Sequence, residues 1–272
     1  MLKTRIILVV ASAIIIWLIF LLPKAVVENE SQLKSADSTS SHKGPSPAQG
    51  HSQIPATITA SIKAVKTARL STSSHEKNAI FADSLRSLYT QAGQFDSAAN
   101  YGAEAATFFN TTESFLKAGN SYYEASTFAM DAQKQKALAE KAREWLGKVI
   151  EANPKNYEAR IKVAMTYLSS GGPMQGIKQL REVLKEDPKN ELALFNMGML
   201  SLQSGQNGKA IDWLKQLDDV NPRHVQGQLL LGVAYMKEGK KTAARQQFEK
   251  VKKMDNDPAV HATVDSYLKD LK

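Results

Sequence analysis

Apolar and polar positions follow three different patterns along this chain. From Ile6 to Leu22 (IILVVASAIIIWLIFLL) no charged residue interrupts the apolar run. From Glu28 to Pro55 apolar residues are few, and Ser, Pro, Gly and polar side chains prevail. Beyond Pro55 apolar residues recur three and four positions apart, as in Ile58, Ile62 and Val65, with Lys63, Lys66 and Arg69 on the other side. That is the period of amphipathic helices, and it persists almost to the C-terminus. The pattern predicts an all-α protein: one apolar helix, a disordered tether, and a folded helical array.

Within the array three helix endings read almost alike. They are VIEANPKN (Val149–Asn156), VLKEDPKN (Val183–Asn190) and LDDVNPRH (Leu217–His224), and their prolines Pro154, Pro188 and Pro222 recur every 34 residues. In each following unit an amphipathic helix meets a glycine (Gly171, Gly205, Gly239) and a second helix follows. Small residues stand at Gly198 and Gly232 in the first helix and at Gly176, Ala210 and Ala244 in the second; Leu180, Leu214 and Phe248 come four positions later. Small residues let two helices approach, large ones fill the gap, and proline ends the helix by removing an N–H. One such hairpin cannot bury its apolar faces alone, so copies must stack.

These positions, with Tyr167 and Tyr235, resemble the tetratricopeptide repeat, a 34-residue helix–turn–helix unit. The resemblance implies a solenoid of stacked hairpins. Two weaker copies lie upstream: one carries Leu85, Tyr89, Gly93 and Ala98, the other Gly119, Tyr122 and Ala142, with about eleven extra residues that predict longer helices. The expected organisation is a capping helix and turn over 55–78, repeats over 79–111, 112–156, 157–190, 191–224 and 225–258, and a C-terminal cap over 259–272. The 55–78 helix also has the makings of a membrane-surface helix, and Ser73 with Glu76 has capping-box spacing.

The N-terminus adds a location. Residues 6–27 suffice for a transmembrane helix of roughly 30 Å, preceded by a short tail over 1–5 that carries Lys3 and Arg5. A cleaved signal is the rival reading, but Pro23 and Lys24 stand where a cut site needs small residues. The positive-inside rule puts the tail in the cytoplasm and exports the repeats, to the periplasm in a Gram-negative host. Residues 28–54 are the tether, too polar to bury a core.

Composition then removes chemistry. Cysteine is absent, which excludes disulfides, cysteine zinc sites and thiol nucleophiles. His42 and His51 lie in the tether, and His75 and His224 fall at a helix start and in a turn, ordinary exposed positions. SGQNGKA (Ser204–Ala210) lacks the first glycine and final hydroxyl of a phosphate loop. No enzyme, cofactor or metal is expected. The stretch Lys237–Lys253 has seven basic and two acidic residues, suited to a headgroup, an acidic partner or plain solvation; nucleic acid is not expected.

What remains is a binding face. In the resembled family the first helix of each unit lines a concave groove. Carried over, the groove residues are Leu116, Asn120 and Tyr123; Ile161, Met165 and Leu168; Leu192, Phe195, Asn196, Met199 and Leu202; and Leu229, Val233 and Met236. The set is apolar and Met-rich, a composition that adapts to apolar or amphipathic partners. The family's carboxylate clamp is not matched: Ile161, Met165, Gln226 and Leu230 occupy its places, and Asn196 alone fits. Some of these side chains have packing between repeats as an alternative role. The resemblance in layout, anchor then tether then repeats, implies a membrane-anchored scaffold for a protein partner in assembly, secretion or maturation of envelope proteins. Homo-oligomerisation of a structural component is the alternative.

Overall fold

A computed structural model describes residues 54–271 of the chain, and all regular structure among them is helical. The expected membrane span and the tether, Ile54 excepted, lie outside the described residues. No helix among the described residues is long and apolar enough to cross a membrane.

Twelve helices are described. They are α1 (Ala56–Leu70), α2 (His75–Gln91), α3 (Phe95–Phe109), α4 (Thr112–Phe128), α5 (Ala132–Ala152) and α6 (Tyr157–Ser169), followed by α7 (Pro173–Glu186), α8 (Glu191–Gln203), α9 (Asn207–Val220), α10 (Val225–Lys237), α11 (Lys241–Met254) and α12 (Pro258–Asp270). Neighbours pair as hairpins: α2 with α3, α4 with α5, α6 with α7, α8 with α9, α10 with α11. The array is therefore a helix–turn–helix repeat, with α1 packed on α2 and α12 on α11. The long unit is lengthened in both helices: α4 and α5 have 17 and 21 residues, whereas α6 and α7 have 13 and 14.

The ends of these helices follow from side chains. Asn156 and Asn190 accept the N–H of the residue three positions on, Ala159 at 3.0 Å and Ala193 at 3.1 Å. Such caps satisfy an N–H that the helix itself cannot. The cap of α2 is Ser74, accepting from Lys77, one residue after the Ser73 of the expected box. Ser74 stands in extended backbone at the helix entry, so the capping geometry falls there and not at Ser73. In four of the five units the first helix closes on a left-handed glycine, as at Gly205 with φ of 72°, where a side chain would be strained.

Packing within a hairpin turns on one small and one large residue. A Cβ on Gly198 would stand 2.6 Å from Leu214 Cγ, and one on Gly119 equally close to Leu146 Cγ. Leu146, Leu180, Leu214 and Phe248 are all buried, each worth about 1.5–3 kcal/mol of apolar burial. Between units, Arg143 of α5 reaches α6: it donates to Thr166 Oγ1 at 3.2 Å and Ser170 Oγ at 3.1 Å and lies over the Tyr167 ring. At the far end Tyr267 of α12 stacks on Phe248 with centroids 5.0 Å apart, so the last helix closes the core of the last hairpin.

Candidate partner-binding groove

The first helices of successive units touch one another directly, α4 with α6, α6 with α8, and α8 with α10. Positions repeated along them thus form one continuous face. Its two halves differ in chemistry.

The half nearer the N-terminus is ionic. Asp83 of α2 accepts from Arg86 at 2.6 Å and from Lys117 of α4 at 3.3 Å, and Lys117 also pairs with Glu113 at 3.0 Å. Asp83, Glu113 and Lys117, with Ile80 of α2 and Gly102 and Phe109 of α3, line a cleft of about 310 Å³. Further along, Lys162 of α6 donates to Asn120 at 2.9 Å and to Glu158 at 2.5 Å. Burial pushes the Glu124 carboxyl above its ordinary range, opposed by the positive charges of Lys162 and Arg86. Burial also raises Asp83, but its bonds to Arg86 and Lys117 outweigh this and leave it below the usual carboxylate range.

The half nearer the C-terminus is apolar. Leu192 is 40% exposed, and Phe195, Met199, Leu229 and Met236 are half-buried, with Met165 of α6 at the border. On α8, Leu192, Phe195 and Met199 share a stripe at three- and four-residue spacing. The Phe195 ring stacks on His224 of the α9–α10 turn, centroids 5.2 Å apart. The adjacent Leu230, which occupies one of the clamp positions, is also half-buried.

Four of the fourteen expected groove residues are interior instead, and four more are half-buried in contacts within the stack. Ile161, Asn196, Leu202 and Val233 are only 1%, 6%, 7% and 3% exposed and belong to the interior. The Asn196 side-chain amide is spent on the Leu192 carbonyl at 2.7 Å. Leu116 packs on Leu146, Val149 and Ala159, and Tyr123 packs on the cluster of Ala99, Tyr122, Ala125 and Ala142. Leu168 lies under Gly176, where a Cβ would stand 2.9 Å from its Cγ. Asn120 serves the Lys162 ammonium. Helices in a stack are covered on two sides, so a face position beside a neighbouring helix becomes packing. His224 is likewise corrected: it is half-buried and caps α10 through Nδ1.

Tetratricopeptide repeat family models match residues 161–219 and 201–265. Both matches lie within the helical hairpins from α6 to α12. Among solved structures, a tetratricopeptide repeat protein from Parabacteroides merdae ATCC 43184 is similar over 79% of this chain and 82% of its own, with 16% identity and a TM-score of 0.57. MamA from Desulfovibrio magneticus RS-1 is similar over 65% and 94%, with 18% identity and a TM-score of 0.47. A further MamA structure covers 66% and 93% at 19% identity, also with a TM-score of 0.47. No curated protein matches the chain.

Proposed function

We propose that this chain is a membrane-anchored repeat scaffold that holds an apolar or amphipathic segment of a protein partner against α8 and α10. The observation that carries the reading is the row of Leu192, Phe195, Met199, Leu229 and Met236, large apolar side chains left partly exposed on adjoining first helices. Buried side chains would suffice to hold the stack together, and contiguous apolar patches mark interaction sites. Unbranched Met side chains conform to varied apolar surfaces. The ionic half beside it supplies orientation more than affinity.

The anchor rests on the apolar run Ile6–Leu22 and the basic residues before it. Under this reading residues 6–27 sit in the bilayer, the tail is cytoplasmic, and the repeats work outside it in assembly, secretion or maturation of envelope proteins. The test is capture from native membranes by the full-length chain and by its Phe195→Ala, Met199→Ala and Met236→Ala variants. Capture should fall in each variant while the helical content stays; undiminished capture in a folded triple variant would remove the groove assignment.

A further inference from the structure

Asn156, Asn190 and His224 occupy the same place in three successive units, the residue before the first helix. Each accepts the backbone N–H three residues on, and for His224 the bond runs from Gly227 N to Nδ1 at 3.0 Å. The chemistry of the acceptor differs. An amide oxygen accepts at every ordinary pH, whereas imidazole Nδ1 accepts only while unprotonated.

The ring is held from two sides. A Cβ on Gly227 would stand 3.2 Å from Nδ1 and 2.6 Å from Leu217 Cδ2, so the start of α10 is pressed onto the ring and onto α9. On α8, Phe195 stacks on the same ring at 26° between planes. We propose that His224 is a pH-sensitive positioning residue for the α8–α10 groove: taking up a proton removes the cap of α10 and releases the Phe195 stack. This rests on the groove reading above for its functional consequence, though not for the titration itself.

The charges around the ring decide where the switch lies. Glu191 of α8 attracts a proton to the ring, but its carboxylate already holds the Asn221 amide at 2.7 Å. Arg223 is the chain neighbour, and Asp218 at the end of α9 is occupied by Gln228 and Lys250. Burial is the larger influence and keeps the imidazole below its ordinary value of 6.5. The capped state is therefore complete above about 6.5 and is lost as pH falls through the lowered value. A protonated ring still attracts the Phe195 face. It then meets the Gly227 N–H with a second donor, and the ring has to turn away.

The experiment is an amide and aromatic NMR titration of the full-length chain in micelles between about pH 7.5 and about pH 5. Wild type is compared with His224→Asn, which copies the Asn156 and Asn190 caps. The Gly227 amide and Phe195 ring resonances should move together, with a midpoint below 6.5, while Ala159 and Ala193 stand still. In His224→Asn the Gly227 resonance should not titrate. The second readout is capture through a photo-reactive group at Met199, expected to weaken at the lower pH in wild type only, as the cap that positions the start of α10 is lost. A Gly227 resonance that does not titrate overturns the switch whatever the groove captures. Capture independent of pH beside a titrating Gly227 overturns its coupling to the groove. Absence of capture at both pH values in both proteins counts against the groove reading itself.

Discussion

Gly232 lies so close to Phe248 that a Cβ on the glycine would stand 2.6 Å from the edge of the ring. Phe248 has little freedom to yield, because Tyr267 is stacked on its ring with centroids 5.0 Å apart. Gly232→Ala should therefore lose about 1–3 kcal/mol to overpacking, more than the ~1 kcal/mol that Ala gains in a helix. Gly147 in α5 has no atom within 4 Å of such a Cβ. Gly147→Ala should change sign and stabilise by about 0.5–1 kcal/mol. Urea unfolding of the two variants checks the contrast, and equal signs would show that helix propensity, not contact, governs both sites.

Gln228 is the largest buried amide, 1% exposed, and all of its polar atoms are engaged. Its Nε2 donates to the Pro222 carbonyl at 3.0 Å and to Asp218, and its Oε1 accepts from Gln247. It ties the end of α9 to α10 and α11. Gln228→Leu keeps the bulk but strands those partners, at a cost of about 1–3 kcal/mol. Thermal unfolding measures this; a neutral substitution would mean that water replaces the lost bonds.

Two carboxylates on the ionic half should respond to pH in opposite senses. Burial raises Glu124 above its ordinary 4.5, so the charged form weakens the fold at neutral pH and the penalty fades as pH falls towards 4.5. Glu124→Gln should raise stability at neutral pH and lose that advantage in acid. Asp83 is held low by Arg86 and Lys117 despite its burial, so its contribution is present above 3.8 and disappears as pH falls through the lowered value. Asp83→Asn should destabilise at neutral pH and converge with wild type in acid. Stability against pH for both variants tests the pair, and parallel curves would contradict it.

Ile161 and Met165 sit one turn apart on α6 and separate packing from binding. Ile161 is buried, and Ile161→Ala should cost about 2–5 kcal/mol of stability. Met165 is half-buried on the groove side, so Met165→Ala should spare the fold and reduce capture. A large loss of stability at Met165 would place it with the interior instead.

That same pair shows what the sequence could and could not disclose. The hairpins were legible because the residues that make them are chemically distinctive: Gly198 against Leu214, left-handed Gly205, and the prolines Pro154, Pro188 and Pro222 past the second helices. The length of α4 and α5 was legible as an interruption of the same spacing. The groove was not, because Ile161 and Met165 are equally apolar and only the neighbouring unit decides which is covered. Nor did the pattern show that Lys162 and Asn120, or Asp83 and Lys117, would meet across helices. His224 could have been found by aligning it with Asn156 and Asn190, since the two asparagines mark a capping position.

The central claim is that the α8–α10 face holds a protein partner. A photo-reactive group at Met199 of the full-length chain, activated in native membranes and followed by mass analysis of the adduct, tests it most directly. The expected result is one discrete adduct with a different protein, diminished by Phe195→Ala. An adduct at twice the chain mass, or none from a folded chain, would contradict it.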